Sequence, residues 1–236
     1  MEITKDIELI PERLIENIEF LNDYFKRHKV QWTFVAKLFH EYSVDFMREF
    51  IKIVPVESIA LYNLTQLEAI KNFKPTLETW FINYEGIEIG APFIDVNLTH
   101  NPTNIDKSTC LMVTLEEDRY GVPGEEVEEL IQSNQITKTG AYFDCSRPPE
   151  IELLKKWSTY DFQENTLKTM GTSSAFSMIE TIKAYGGNHF RIGETAFFGK
   201  EINTQQNIKG LRQDVFASRK KINYHIIENK ISHENN

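Results

Sequence analysis

Lys37 closes an aromatic and β-branched run, Gln31-Trp-Thr-Phe-Val-Ala36, and is flanked by Phe34, Val35, Leu38 and Phe39. A primary amine among apolar neighbours is desolvated, which disfavours its charged form and leaves a neutral nucleophile toward an aldehyde. The chemistry this suggests is Schiff-base formation. The plainer alternative is a lysine whose stem packs at a strand end while its ammonium reaches water. Far along the chain, Thr169-Met-Gly-Thr-Ser-Ser174 and Asn188-His-Phe-Arg-Ile-Gly-Glu194 read as two strand ends that together hold a phosphate. Gly171, Ser173 and Ser174 offer backbone N–H groups, hydroxyls and the positive end of a helix, and Gly193 after Arg191 offers a second close backbone approach. Taken alone, the Gly-Thr-Ser-Ser junction reads more simply as a helix cap.

For these residues to meet, the intervening elements must bring both ends of the chain to one place. Ile10, Leu14, Ile18 and Leu21 recur at helical spacing, with Pro11 in a first turn. Strands are predicted at 31–36, 58–61, 79–82, 93–98, 109–115, 137–143, 167–171 and 189–192, with helices over 43–53, 65–73, 124–133, 150–157 and 175–185 between them. Eight strands alternating with helices favour a closed parallel (β/α)8 barrel. The working residues of such a barrel gather at the carboxyl ends of its strands, where Lys37, Arg119, Tyr142, Cys145, Ser173, Arg191 and Gly193 fall. The connections 83–92 and 99–108, after strands three and four, carry no convincing helix. Their loss is expected to expose apolar strand faces, to be covered by another subunit, by the N-terminal helix or by the C-terminal tail.

The chain has 236 residues, 41% of them apolar, with a formal net charge of -9. That charge argues against a nucleic-acid or anionic-membrane partner. A start of Met-Glu-Ile-Thr-Lys-Asp and the lack of a long apolar window predict a cytosolic protein with no membrane span. Cys110 and Cys145 lack metal-site spacing, so no metal is expected.

Phe34-Val-Ala-Lys37, Leu111-Met-Val-Thr-Leu-Glu-Glu-Asp-Arg119-Tyr-Gly, Met170-Gly-Thr-Ser-Ser and Asn188-His-Phe-Arg-Ile-Gly-Glu194-Thr-Ala-Phe-Phe-Gly199 follow one another in an informative order. In that order the chain resembles the alanine-racemase-like, fold-type III pyridoxal-phosphate barrels, especially their ornithine-racemase-like branch. In length it is similar to the single-barrel pyridoxal-phosphate homeostasis proteins. The resemblance implies that Lys37 forms the internal aldimine and that Ser173, with the backbone at Gly193 and Glu194, binds the phosphate. Thr172 stands where the family often has asparagine. Arg191 would face the pyridine nitrogen, where a permanently charged guanidinium discourages ring protonation and suits reversible proton exchange at Cα. Arg119 would sit near the cofactor's phenolic oxygen or a substrate carboxylate, and Tyr142 would stack on the ring.

The departures matter as much. Only residues 200–236 follow Gly199, too few for the C-terminal β-domain of two-domain racemases, so the reading is a barrel over 1–199 and an extension over 200–236 with a disordered end. A two-base racemase needs a second acid or base beside Lys37, for which His40, Tyr142, Cys145 and His189 are candidates. The Asp-Ser-Arg often found after strand two is replaced by Leu61-Tyr-Asn63. Three functions follow: a pyridoxal-phosphate-dependent amino-acid racemase or epimerase, acting on a small free amino acid as a homodimer; a non-catalytic cofactor carrier; or a degenerate barrel serving as a structural partner of another subunit.

Overall fold

The computed structural model of the protein describes residues 7–103, 105–115, 121–133, 136–142, 148–160, 162, 164–171, 176–201 and 203–218. Eight strands close a parallel barrel: β1 (Gln31–Val35), β2 (Ser58–Leu61), β3 (Glu78–Asn83), β4 (Val96–Thr99), β5 (Thr109–Thr114), β6 (Lys138–Tyr142), β7 (Leu167–Met170) and β8 (His189–Ile192). Each pairs with its successor in sequence, and β8 closes on β1 through the register Gln31↔His189 to Phe34↔Ile192. Lys37 and Arg191, remote in sequence, thereby belong to neighbouring staves. This is the (β/α)8 architecture expected from the alternation of elements.

The period-two pattern of the strands divides the core in two. Val35, Ala60, Trp80, Ile82, Val96, Leu98, Cys110 and Met112 pack together as one cluster inside the barrel. Their alternates, among them Phe34, Ile59, Leu61, Phe81, Leu111, Val113, Met170 and Phe190, form the larger core against the helices. Those helices are α1 (Pro11–Arg27), α2 (Val44–Ile53), α3 (Leu64–Phe73), α4 (Gly124–Ser133), α5 (Ile151–Ser158), α6 (Ile179–Ala184) and α7 (Glu194–Phe198). Ser43 caps α2 by accepting from the Phe46 amide, and Asn63 caps α3 by accepting from the Gln66 amide. Along α1 the buried residues Leu14, Ile18, Leu21 and Phe25 form one stripe, each contributing about 1.5–3 kcal/mol by leaving water. Phe25 stacks on Phe190 at 5.5 Å, so α1 lies over the β8–β1 seam. Among the described residues, no helix is long and apolar enough to cross a membrane.

Several expectations need correction. The fourth strand begins at Val96 instead of residue 93, because the Thr79 hydroxyl takes the Phe93 carbonyl and the Thr79 amide and hydroxyl both donate to Asp95, binding that segment as a turn. The helix after β7 spans only 179–184, since the Ser177 amide is drawn out to the Glu201 carboxylate. The short helix α7 was not foreseen. Most instructive is the wall without helices. The outward residues of β4 are Asn97 and Thr99, alternating with inward Val96 and Leu98, so that strand presents a polar outer face. Ile89, Phe93, Ile94 and Ile105 from the two connections pack on the core beside it. The two connections thus bring apolar cover of their own to that side.

The segment after the barrel is tied to its front. Phe216–Ser218 pairs antiparallel with Ile7–Leu9. The buried Asn17 side chain donates to the carbonyls of Ala196 and Arg212 and accepts from the Arg212 amide, fixing α1 to both.

Candidate functional site at the carboxyl mouth of the barrel

Lys37 follows β1 in a single 3-10 turn, Lys37–Phe39. The turn is set from below. The Ala36 amide bonds the Ala60 carbonyl, and the side chain of Gln66, 1% exposed, donates to the carbonyls of Phe39 and Tyr42 at 2.8 Å. Phe34, Ala36 and Phe39 are buried, but Lys37 itself is exposed. The desolvation expected from its apolar neighbours is therefore absent: they turn into the core while the amine turns out into the mouth. Its Nζ donates to the Tyr84 hydroxyl at 3.2 Å and lies 5.8 Å from the centroid of that ring.

Arg191, 6% exposed, projects into the lumen from β8. Two glycines make room for it. A Cβ at Gly171 would stand 2.7 Å from Nη2, and one at Gly140 would stand 3.0 Å from Nη1. Nη1 also approaches the Met112 sulfur at 3.6 Å. Beyond Arg191 the chain passes through Gly193, where a Cβ would meet the Val35 carbonyl oxygen at 2.8 Å, and opens α7 at exposed Glu194. A larger residue at 193 would push the end of β8 away from the end of β1.

Beneath this layer the lumen is sealed. The His189 ring stacks on Trp80 at 4.9 Å with 8° between planes, and its nitrogens lie 3.0 Å from the Thr33 hydroxyl and 2.7 Å from that of Thr169. Burial, and then the nearby Arg191 charge, push the imidazole down to about 3, so it is neutral over the physiological range. His189 is thus a core group under the mouth, which removes it as a second base. Burial pushes the Cys110 thiol up to about 12, against the opposing charges of Arg191 and Lys138, and this cysteine is a lumen filler.

The other foreseen residues fall differently. Tyr142 ends β6 opposite Thr114, which gives it the expected strand position. Arg119, Cys145, Thr172 and Ser173 lie outside the described residues. His40 Nδ1 lies 3.2 Å from the Lys37 carbonyl and Nε2 3.3 Å from Glu41, while its ring is 5.5 Å from Tyr62. Tyr62 and Tyr84, which follow β2 and β3, were not singled out from sequence. Burial, then Glu41 and Tyr84, raise the Tyr62 phenol above its ordinary value. Among the described residues, no group of three or more His, Cys, Asp or Glu is placed to hold a metal ion.

A parallel eight-stranded barrel with a lysine beyond its first strand and an Arg-Ile-Gly step at its last defines the class of structure. Solved structures that share this fold include several amino-acid racemases. The alanine racemase of Corynebacterium glutamicum superposes with a TM-score of 0.67 at 12% identity, over 88% of this chain and 65% of that one. The alanine racemase of Bartonella henselae, solved with covalently bound pyridoxal phosphate, gives 0.61 at 8%, over 88% and 66%. The histidine racemase of Leuconostoc mesenteroides gives 0.59 at 13%, over 86% and 62%. The chain thus has the fold of the alanine-racemase barrel and spans about two thirds of the length of these enzymes. No protein-family model and no curated protein matches the sequence.

Proposed function

We propose that this protein binds pyridoxal phosphate at the carboxyl mouth of the barrel and racemises or epimerises a free amino acid there. The observation that carries the reading is the convergence of an amine and a buried guanidinium on adjacent staves, Lys37 after β1 and Arg191 on β8, with Gly140 and Gly171 leaving the guanidinium its space. The donor set suits the group: an exposed amine for the aldehyde, a fixed cation for a ring nitrogen, and a glycine-opened turn at Gly193 and Glu194 for the phosphate. Thr172 and Ser173 are proposed as further phosphate ligands.

When bound, pyridoxal phosphate would withdraw electron density from the α-carbon of a joined amino acid and make its proton exchangeable. Lys37 would hold the cofactor and carry the α-proton on one face. Arg191 would hold the ring nitrogen unprotonated through its guanidinium. The Trp80–His189 stack closes the lumen below and keeps water from entering from beneath. Arg119 is proposed to meet a substrate carboxylate and Tyr142 to line the ring. A homodimer in the cytosol is the proposed setting.

The test is exchange of the α-proton of alanine, ornithine and histidine with solvent deuterium, followed by NMR with added cofactor. The parent protein is expected to exchange at least one of them and Lys37→Ala none. Cofactor binding without exchange of any free amino acid would refute the racemase and leave a carrier.

A further inference from the structure

Tyr84 holds the one contact made by the Lys37 amine among the described hydrogen bonds, and neither the sequence motifs nor the proposed reaction gives it a role. Its phenol oxygen accepts from Nζ at 3.2 Å, and at 5.8 Å from the ring centroid the ammonium lies beyond the oxygen-bearing edge of the ring, so the hydrogen bond is the contact that holds it. The turn that presents Tyr84 is built from both sides. Asn83, buried, donates to the Ile87 carbonyl at 2.8 Å and accepts from the Ile87 amide at 3.1 Å. Gly86 takes a left-handed φ of 62°, open to glycine without strain, and its carbonyl accepts from the Asn101 side chain at 2.6 Å. Tyr84 itself is 42% exposed, so nothing in the core requires an aromatic residue there.

The strand order makes this contact informative. Around the barrel the sequence of staves is β8, β1, β2, β3. Tyr84 lies on the β3 side of Lys37, whereas Arg191 and Gly193 belong to β8 on the other side.

We propose that Tyr84 is a positioning residue for Lys37, holding the free amine on the β3 side of the mouth until an aldehyde is presented over β8. The idea rests on Lys37 being the amine that captures the cofactor. One hydrogen bond to the phenol oxygen ties the amine to this side of the mouth. Loss of the phenol oxygen therefore frees the amine.

The experiment is reductive methylation of the whole protein with formaldehyde and cyanoborohydride, read by peptide mass spectrometry as the labelling rate of Lys37 relative to Lys155 in the same sample. Tyr84→Phe is expected to raise that ratio about two- to fivefold, the equivalent of one partly solvated hydrogen bond, and Tyr84→Leu to raise it by a similar factor. An internal ratio does not move with small changes in global stability. An unchanged or lowered ratio in both variants would overturn the proposal. A parallel sample with pyridoxal phosphate separates the two ideas: protection of Lys37 in the parent protein supports the cofactor reading, and its absence sinks that reading while the formaldehyde ratio still decides the role of Tyr84.

Discussion

The space beside the Arg191 guanidinium makes a quantitative prediction. In Gly171→Ala the new Cβ would stand 2.7 Å from Nη2 and 3.3 Å from Cζ and Nε, all closer than ordinary van der Waals contact. A guanidinium at a surface would swing away, but this one is 6% exposed and confined by Met112 and by Gly140, whose own Cβ position is 3.0 Å from Nη1. Overpacking of a filled core costs about 1–3 kcal/mol. Replacing glycine by alanine returns about 0.4–1 kcal/mol through the unfolded chain. The net expectation is a loss of up to roughly 2.6 kcal/mol, or a melting temperature lower by up to about 10 °C for a chain of this size. In an Arg191→Met background the obstacle is gone, and Gly171→Ala should change sign and stabilise. Urea denaturation of the four proteins forms the cycle that separates the pair from either substitution alone. A stabilising Gly171→Ala in the parent, or the same destabilisation with Met at 191, would show that the guanidinium does not fill that space.

Three further outcomes follow. Because the folded His189 titrates at about 3 and an ordinary imidazole at 6.5, the folded state binds fewer protons in between; stability is full above 6.5 and falls as pH drops toward 3, by up to about 5 kcal/mol. His189→Gln should flatten that acid limb in denaturation curves taken across the window, and an unchanged slope would contradict a buried neutral ring. At Asp95, burial works to raise the carboxyl, but hydrogen bonds from Lys71 at 2.6 Å and from Thr79 outweigh it and hold it below its usual value. Asp95→Ala is expected to cost about 1–3 kcal/mol at neutral pH and clearly less in a Lys71→Met, Thr79→Val background, where only the backbone amide of residue 79 still donates; equal losses in both would refute the anchor. Cys110, fully buried with its thiol held protonated, should label with a thiol reagent only as fast as the protein unfolds, so labelling of the native state at pH 8 would show an open lumen.

The barrel was legible because its signals are local and repeated: aromatic and β-branched runs of strand length, helical stripes such as Leu14, Ile18 and Leu21, and Pro11 in a first turn. Arg191 and Gly193 could be placed from sequence because an Arg-Ile-Gly step at a strand end combines a fixed charge with a close backbone approach. What was missed depends on direction and partners, which a sequence does not show. The flanks of Lys37 are apolar, yet they serve the core and leave the amine exposed. Asn97 and Thr99 turn the helix-free wall polar, a fact visible in the alternation of Val-Asn-Leu-Thr but read as loss of cover. Tyr84 lies 47 residues from Lys37, and only the closure of three staves brings them together. Gln66, in mid-helix, carries no local mark of the turn it supports.

The account stands most directly on whether Lys37 captures pyridoxal phosphate. Titration of the purified protein with the cofactor, followed by absorbance at the edge of the visible and then by borohydride reduction and peptide mapping, gives the answer in one sample. A saturable band in the parent protein, a pyridoxyl mass on the peptide carrying Lys37, and neither in Lys37→Ala are the predicted results. No band in the parent, or a pyridoxyl mass on other lysines alone, would contradict it.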